Sequence, residues 1–141
     1  MAKIKTLDEW IKLYEKKTRL PYENTDKRMV RYFFPERGFA EIGISKDMVI
    51  VGQLSGDGLF WKRVAEILAM ERGITHLGCF LVREPESYLK FFGAEIEKTE
   101  DVGDNLKRYF CKFKDSDKKA LISPQGKMKN GNVRWIVTWE I

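Results

Sequence analysis

Six residues near the middle of the chain, Gln53-Leu54-Ser55-Gly56-Asp57-Gly58, have the types and spacing that suit an anion. They follow the apolar run Met48-Val49-Ile50-Val51 and precede a segment of helical periodicity. Glycine at a strand-to-helix turn lets the backbone approach a ligand closely. The first N–H groups of the helix have no partner inside it, and the helix dipole adds partial positive charge there. A phosphate or pyrophosphate is favoured at such a place. Rival phosphate loops fit less well. A dinucleotide fingerprint counted from Gly56 needs a third glycine where Trp61 stands, and a P-loop needs a Gly-Lys-Ser/Thr triplet in a suitable place.

Other reactive side chains read more blandly. Cys79 and Cys111 each lie in an apolar, strand-like run, as two buried thiols in a reducing compartment would. With the single histidine, His76, they make no zinc site. His76 alternates with Gly78 and Phe80, which predicts a hydrogen-bonded core histidine. In the C-terminal third, Lys112, Lys114, Lys118, Lys119, Lys127, Lys129 and Arg134 lie near Trp135 and Trp139. Lysines with interleaved aromatics can hold phosphates and stack bases. The tryptophans, however, share the regular alternation of Val133 and Val137, the pattern of a strand facing a core.

These residues must be positioned by a modest number of elements. Residues 6–18 predict a first helix, with Thr6 and Glu9 in capping-box register and Trp10, Leu13, Tyr14 and Lys17 on one face. Strands are expected over 29–34, 39–45 and 48–54, the last apolar enough to be buried on both faces. Residues 58–72 predict a helix with Phe60, Val64, Ile67, Leu68 and Met70 toward the sheet, ended by Gly73. A strand over 74–82, a short helix over 84–92 begun near Pro85, and strands over 94–99 and 106–114 follow. Residues 120–123 and 133–141 predict a closing hairpin. The order implies one α/β domain with a mixed sheet and helices on both sides.

Composition agrees. The 141 residues are 43% hydrophobic and 33% charged, the profile of a single folded domain with a core. No secretory signal is seen at the start given, and no stretch nears the roughly 20 apolar residues that span a bilayer. A cytoplasmic protein without a membrane partner is the expectation. The net charge of +5 is compatible with a phosphate-rich cofactor or with nucleic acid and does not choose between them.

In this element order the loop resembles that of the GNAT superfamily of acyl-CoA-dependent N-acyltransferases. The family loop, Gln/Arg-x-x-Gly-x-Gly/Ala, is matched by Gln53, Gly56 and Gly58, and the later run Tyr88-Leu89-Lys90-Phe91-Phe92-Gly93-Ala94 is similar to its short helix and Gly turn. The likeness covers about residues 38–114 and implies a GNAT-like, mostly antiparallel sheet with the closing hairpin added to it. It also implies acetyl-CoA as co-substrate and an unidentified amine as acceptor. By this resemblance Val49 and Val51 would offer main-chain groups to the pantetheine, and Gln53, Leu54, Ser55, Gly56, Asp57 and Gly58 would surround the pyrophosphate. Glu41, on a mid-sheet strand, would be the base and Tyr88 the acid. Two positions depart from the family pattern. Asp57 puts a carboxylate in the loop, with Lys62 and Arg63 a turn later, and the usual tyrosine position is Leu89, about 100° around the helix from Tyr88. A non-catalytic binding or interaction module of the same fold therefore stands as an alternative, and the basic tail leaves a nucleic-acid-binding domain as a second.

Overall fold

The computed structural model describes residues 4–141 except 91, 117 and 129, so Phe91 of the short-helix run and Lys129 of the basic tail lie outside the described residues. The chain runs α1 (Leu7–Thr18), β1 (Met29–Phe34), β2 (Gly38–Ile44), β3 (Met48–Gly56), α2 (Gly58–Glu71), β4 (His76–Leu81), α3 (Glu86–Leu89), β5 (Ala94–Gly103), β6 (Leu106–Phe113), β7 (Lys119–Lys127) and β8 (Val133–Glu140). All eight strands form one sheet in the order β1-β2-β3-β4-β8-β7-β6-β5. Among the described residues only β3 and β4 run parallel, joined by the crossover helix α2, which packs on both. The protein is thus a mixed α/β fold with a mostly antiparallel sheet. Among the described residues no helix is long and apolar enough to cross a membrane.

Local chemistry starts each helix. Thr6 and Glu9 close a reciprocal capping box on α1, and the Asp57 carboxylate caps α2 by accepting from the Phe60 N–H. Trp10 and Tyr14 of α1 pack on Phe39, while Trp61, Ala65 and Ala69 of α2 pack among Ala40, Ile42, Val49 and Val51. Phe39 and Ala40 are successive strand residues, which point to opposite faces, so the helices sandwich this half of the sheet.

Phe60, Val64 and Leu68 pack against the core as expected, but the centre of the inward face of α2 is turned from the one its periodicity suggested. Trp61, Lys62, Ala65 and Ala69 are buried, while Ile67 and Met70 stand in solvent at 53% and 61% exposure. Two alanines let the helix settle close to the sheet, and Trp61 Nε1 donates to the Arg37 carbonyl at 2.9 Å. Lys62 is only 4% exposed; its ammonium lies 3.4 Å from the Glu66 carboxylate and 4.0 Å from the centre of the Phe113 ring. Strand β3 is not buried evenly on both faces: Val49 and Val51 are buried under α2, while on the α1 side only Ser55 is buried. His76 is exposed at the start of β4, with Nε2 2.9 Å from Glu140, and is not a core histidine. Cys79 and Cys111 are buried free thiols.

The closing hairpin is present as β7 and β8, but β8 lies in the middle of the sheet between β4 and β7. Its alternation puts Trp135, Val137 and Trp139 against Leu81, Cys79 and Leu77 of β4, beneath α2. The two tryptophans are 3% and 4% exposed and so cannot stack on bases.

The rotated face of α2 makes a direct prediction. Trp61→Ala should cost about 3–5 kcal/mol in urea unfolding, the usual range for removing a buried tryptophan. Ile67→Ala, on the exposed side, should stay within about 0.5 kcal/mol of the parent. Equal losses would contradict the packing described.

Candidate functional site: the cleft between β3 and β4

Strands β3 and β4 pair only from Met48 with His76 to Val51 with Cys79. On the other side of β3, Ile42 pairs with Val51 and Ala40 with Leu54, so the single residue Glu41 faces two, Gly52 and Gln53. This is a β-bulge, which bends the strand that carries it and raises its twist. It falls where the parallel ladder stops. Past it β3 follows β2, while Phe80 and Leu81 of β4 follow Ile136 and Trp135 of β8. The strands part, and a cavity of about 240 Å³ opens between them. Gly52, Gln53 and Leu54 line one wall, Cys79 and Phe80 the other, and Tyr14 and Tyr88 reach in from the helices.

Val49 and Val51 do not face this opening. Their strand positions are paired with β2 on one side and β4 on the other, and their side chains lie in the core under α2. The stretch of β3 that borders the gap is instead Gly52–Leu54, displaced past the bulge. A glycine within an otherwise apolar strand, Gly52, was the available sign of it.

Gln53 organises the floor of the cleft. Its Nε2 donates to Glu41 Oε1 at 2.5 Å and to the Glu23 carbonyl at 2.6 Å, while its Oε1 accepts from the Glu23 N–H at 3.1 Å. Both amide donors are therefore used within the protein. Glu41, 4% exposed, sits behind Gln53, one hydrogen bond from the cavity wall. Around it, Tyr14, Tyr22 and Phe39 form an aromatic cluster with ring centres 5.0–6.2 Å apart.

Two phenols and a thiol that line the cavity are held in their neutral forms. Burial, with the nearby Cys79, pushes the Tyr88 phenol up to about 12, against the opposing pull of main-chain hydrogen bonds at Val82 and Arg83. Burial raises Tyr14 further, with Tyr88 and Glu41 adding to the effect. Cys79 is pushed up to about 12 by burial alone. A phenol held neutral in an apolar cleft donates a hydrogen bond to what enters it, and its raised pKa makes it a weaker acid than a free tyrosine.

The loop after β3 serves the fold first. Gly56 has φ +112 and Gly38 has φ +94, and they pair across the end of β2 and β3 at a distance no side chain allows. A Cβ on Gly56 would lie 2.2 Å from the Arg37 carbonyl oxygen. The Asp57 N–H donates to that same carbonyl at 2.9 Å, and the Ser55 hydroxyl donates to the Trp10 carbonyl at 2.9 Å. The Asp57 carboxylate takes the anion's place at the helix start, accepting from Phe60 N–H through Oδ1 and from Arg37 Nη1 through Oδ2 at 2.6 Å. Leu54 lines the cleft, whereas Gly58 is buried at the first turn of α2. Lys62 and Arg63 do not attend the loop: Lys62 faces Phe113 and Arg63 pairs with Asp115.

Three residues that sequence reasoning did not bring to this cleft, Tyr14, Met128 and Arg134, complete the site. Tyr14, Gln53, Met128 and Arg134 line both this cavity and a second of about 780 Å³, so the two form one passage. Its outer part is walled by the turn after α1 and the turn between β7 and β8. These segments are far apart in sequence and meet only because β8 enters the sheet beside β4. No family model, no curated protein and no solved structure matches the chain.

Two measurements test this geometry. Asp57→Ala should lower stability by about 1 kcal/mol through loss of the cap, with no greater loss for Arg37→Ala, whose ion pair is half-exposed. In an ultraviolet pH titration, Tyr88 should ionise only near pH 12. Because its folded pKa lies above the unfolded value near 10, the stability it contributes is whole below about pH 10 and lost as pH climbs toward 12. Tyr88→Phe should remove that part of the alkaline decline; an unchanged decline would refute the placement of the phenol.

Proposed function

We propose that the protein is an N-acyltransferase that moves an acyl group from acetyl-CoA to an amine in the cleft where β3 and β4 part. The observation that carries this reading is the bulge at Gly52–Gln53, which opens a parallel strand pair onto a narrow, largely apolar cavity holding a protonated tyrosine. A strand pair parted in this way is also what the resemblance to the GNAT superfamily implies for the place of the acyl-CoA.

The residues present fit part of that co-substrate. A slender acyl and pantetheine arm suits the 240 Å³ channel beside Leu54, Phe80 and Phe92, next to the main chain of Gly52–Leu54. The pyrophosphate does not fit the loop as it stands, since Asp57 already occupies the start of α2 and would repel it. Acetyl-CoA would supply the thioester, whose carbonyl carbon the amine attacks with loss of the thiolate. Within the chain, Tyr88 holds the proton that the leaving sulfur needs. In this reading Glu41, one hydrogen bond behind the wall, takes the proton that the amine gives up.

A second reading, a non-catalytic binding module built on the same cleft, is favoured by the Asp57–Arg37 pair. Calorimetric titration with acetyl-CoA, with free CoA and ATP as controls, separates the two. The acyltransferase predicts saturable binding, at least tenfold weaker for Leu54→Trp and unchanged for Tyr88→Phe. Substitution at Gly56 is unsuitable, because it would strike the Arg37 backbone and report on folding. No binding at millimolar acetyl-CoA would leave the binding module as the reading of the cleft.

A further inference from the structure

The outer part of the passage has a charge pattern that its inner part lacks. Arg19, Lys127 and Arg134 line it, together with a single carboxylate, that of Glu23. None of these three cations has an ion-pair partner among the described residues. Arg19 sits just past the end of α1 with φ +59, a left-handed conformation that fixes where its side chain leaves the backbone. Arg134 lies over the Phe80 ring, 4.6 Å from its centre, which holds its guanidinium at the junction of the two cavities. Inward from Arg134 the lining turns apolar, through Phe80, Met128, Leu54 and Phe92.

The cavity on the bare face of the sheet is nearer to balance. It is larger than the inner channel at about 710 Å³, and Lys98, Lys118 and Lys119 line it with Glu97 and Glu140, Lys119 being paired with Glu97 and His76 with Glu140. The larger excess of positive charge belongs to the passage between β3 and β4, where three cations meet one carboxylate.

We infer that this mouth binds the anionic group, a carboxylate or a phosphate, of a small molecule whose apolar stem enters the channel toward Tyr88. Arg134 and Arg19 provide planar, permanently charged donors that suit either group, and Lys127 adds a point charge. The site stands without the acyltransferase reading, because this stem and a pantetheine arm would fill the same channel.

Titration with octanoate, octyl phosphate and octylamine, in the absence of acetyl-CoA, tests the inference. Saturable binding of at least one of the two anions is expected, with none for octylamine, and the stronger anion identifies the head group. Arg134→Gln should weaken that binding at least tenfold and Arg134→Lys less, with thermal melting used to verify that each variant folds. Leu54→Trp should weaken it by blocking the stem, while Lys98→Gln on the bare face should leave it unchanged. Equal binding of octanoate and octylamine, or binding indifferent to both Arg134→Gln and Leu54→Trp, would overturn the proposal. Anion binding without acetyl-CoA binding would instead retain this site and sink the acyltransferase.

Discussion

One extra residue in β3 governs the shape of this protein. Opposite Glu41, the strand spends two residues, Gly52 and Gln53, where regular pairing allows one. A regular β3 would continue alongside β4, closing the sheet and burying the apolar walls against each other. The bulge ends that pairing after Val51, and each strand then follows its antiparallel neighbour. Its cost is a locally unpaired backbone, and Gln53 meets part of it. By bonding Glu41 on one side and both main-chain groups of Glu23 on the other, this side chain ties the irregular strand to the segment after α1. The cleft is therefore a braced opening.

The start of α2 shows how the same local geometry can serve two ends. A helix N-terminus attracts negative charge whatever its source. Here the charge is internal. Asp57 satisfies the helix and Arg37 satisfies Asp57, while the two glycines bring β2 and β3 close enough for Arg37 to accept from Asp57 and Trp61. A motif of glycines before a helix is necessary for a phosphate cradle but does not specify one. What fills the site depends on the residues between the glycines, and in this chain that residue is an acid.

The sequence made the strands legible because alternation and turn residues are local signals: Phe39–Ser45, Met48–Leu54 and Val133–Ile141 lie within a few residues of β2, β3 and β8. The capping box at Thr6 and Glu9 likewise needs only three residues' separation. Phe60, Val64 and Leu68 of α2 were placed inward correctly, while Ile67 and Met70 were misread because large apolar residues were weighted over alanines, although Ala65 and Ala69 permit the closer approach. The cleft was legible only in outline. Glu41, Gln53 and Leu54 fall at or beside it, but the role of Gln53 as an internal brace and the displacement of the open edge from Val49 and Val51 follow from the bulge. Tyr14, Arg19 and Arg134 meet there through tertiary contacts that no spacing in the sequence records.

The position of β8 bears on how the chain reaches its native state. The partner that covers the far edge of β4 is the last of the eight strands, so that edge stays open until β8 arrives. Until then Leu77, Cys79 and Leu81 have no Trp139, Val137 or Trp135 beside them. A half-built sheet of this kind has β1 to β4 on one side and the β5–β6–β7 meander on the other, with nothing between. Joining them needs pairings distant in sequence, which slows folding and leaves an apolar strand edge able to recruit the wrong neighbour. The insertion that brings Arg134 to the cleft thus makes β8 the strand on which the whole sheet waits to become continuous.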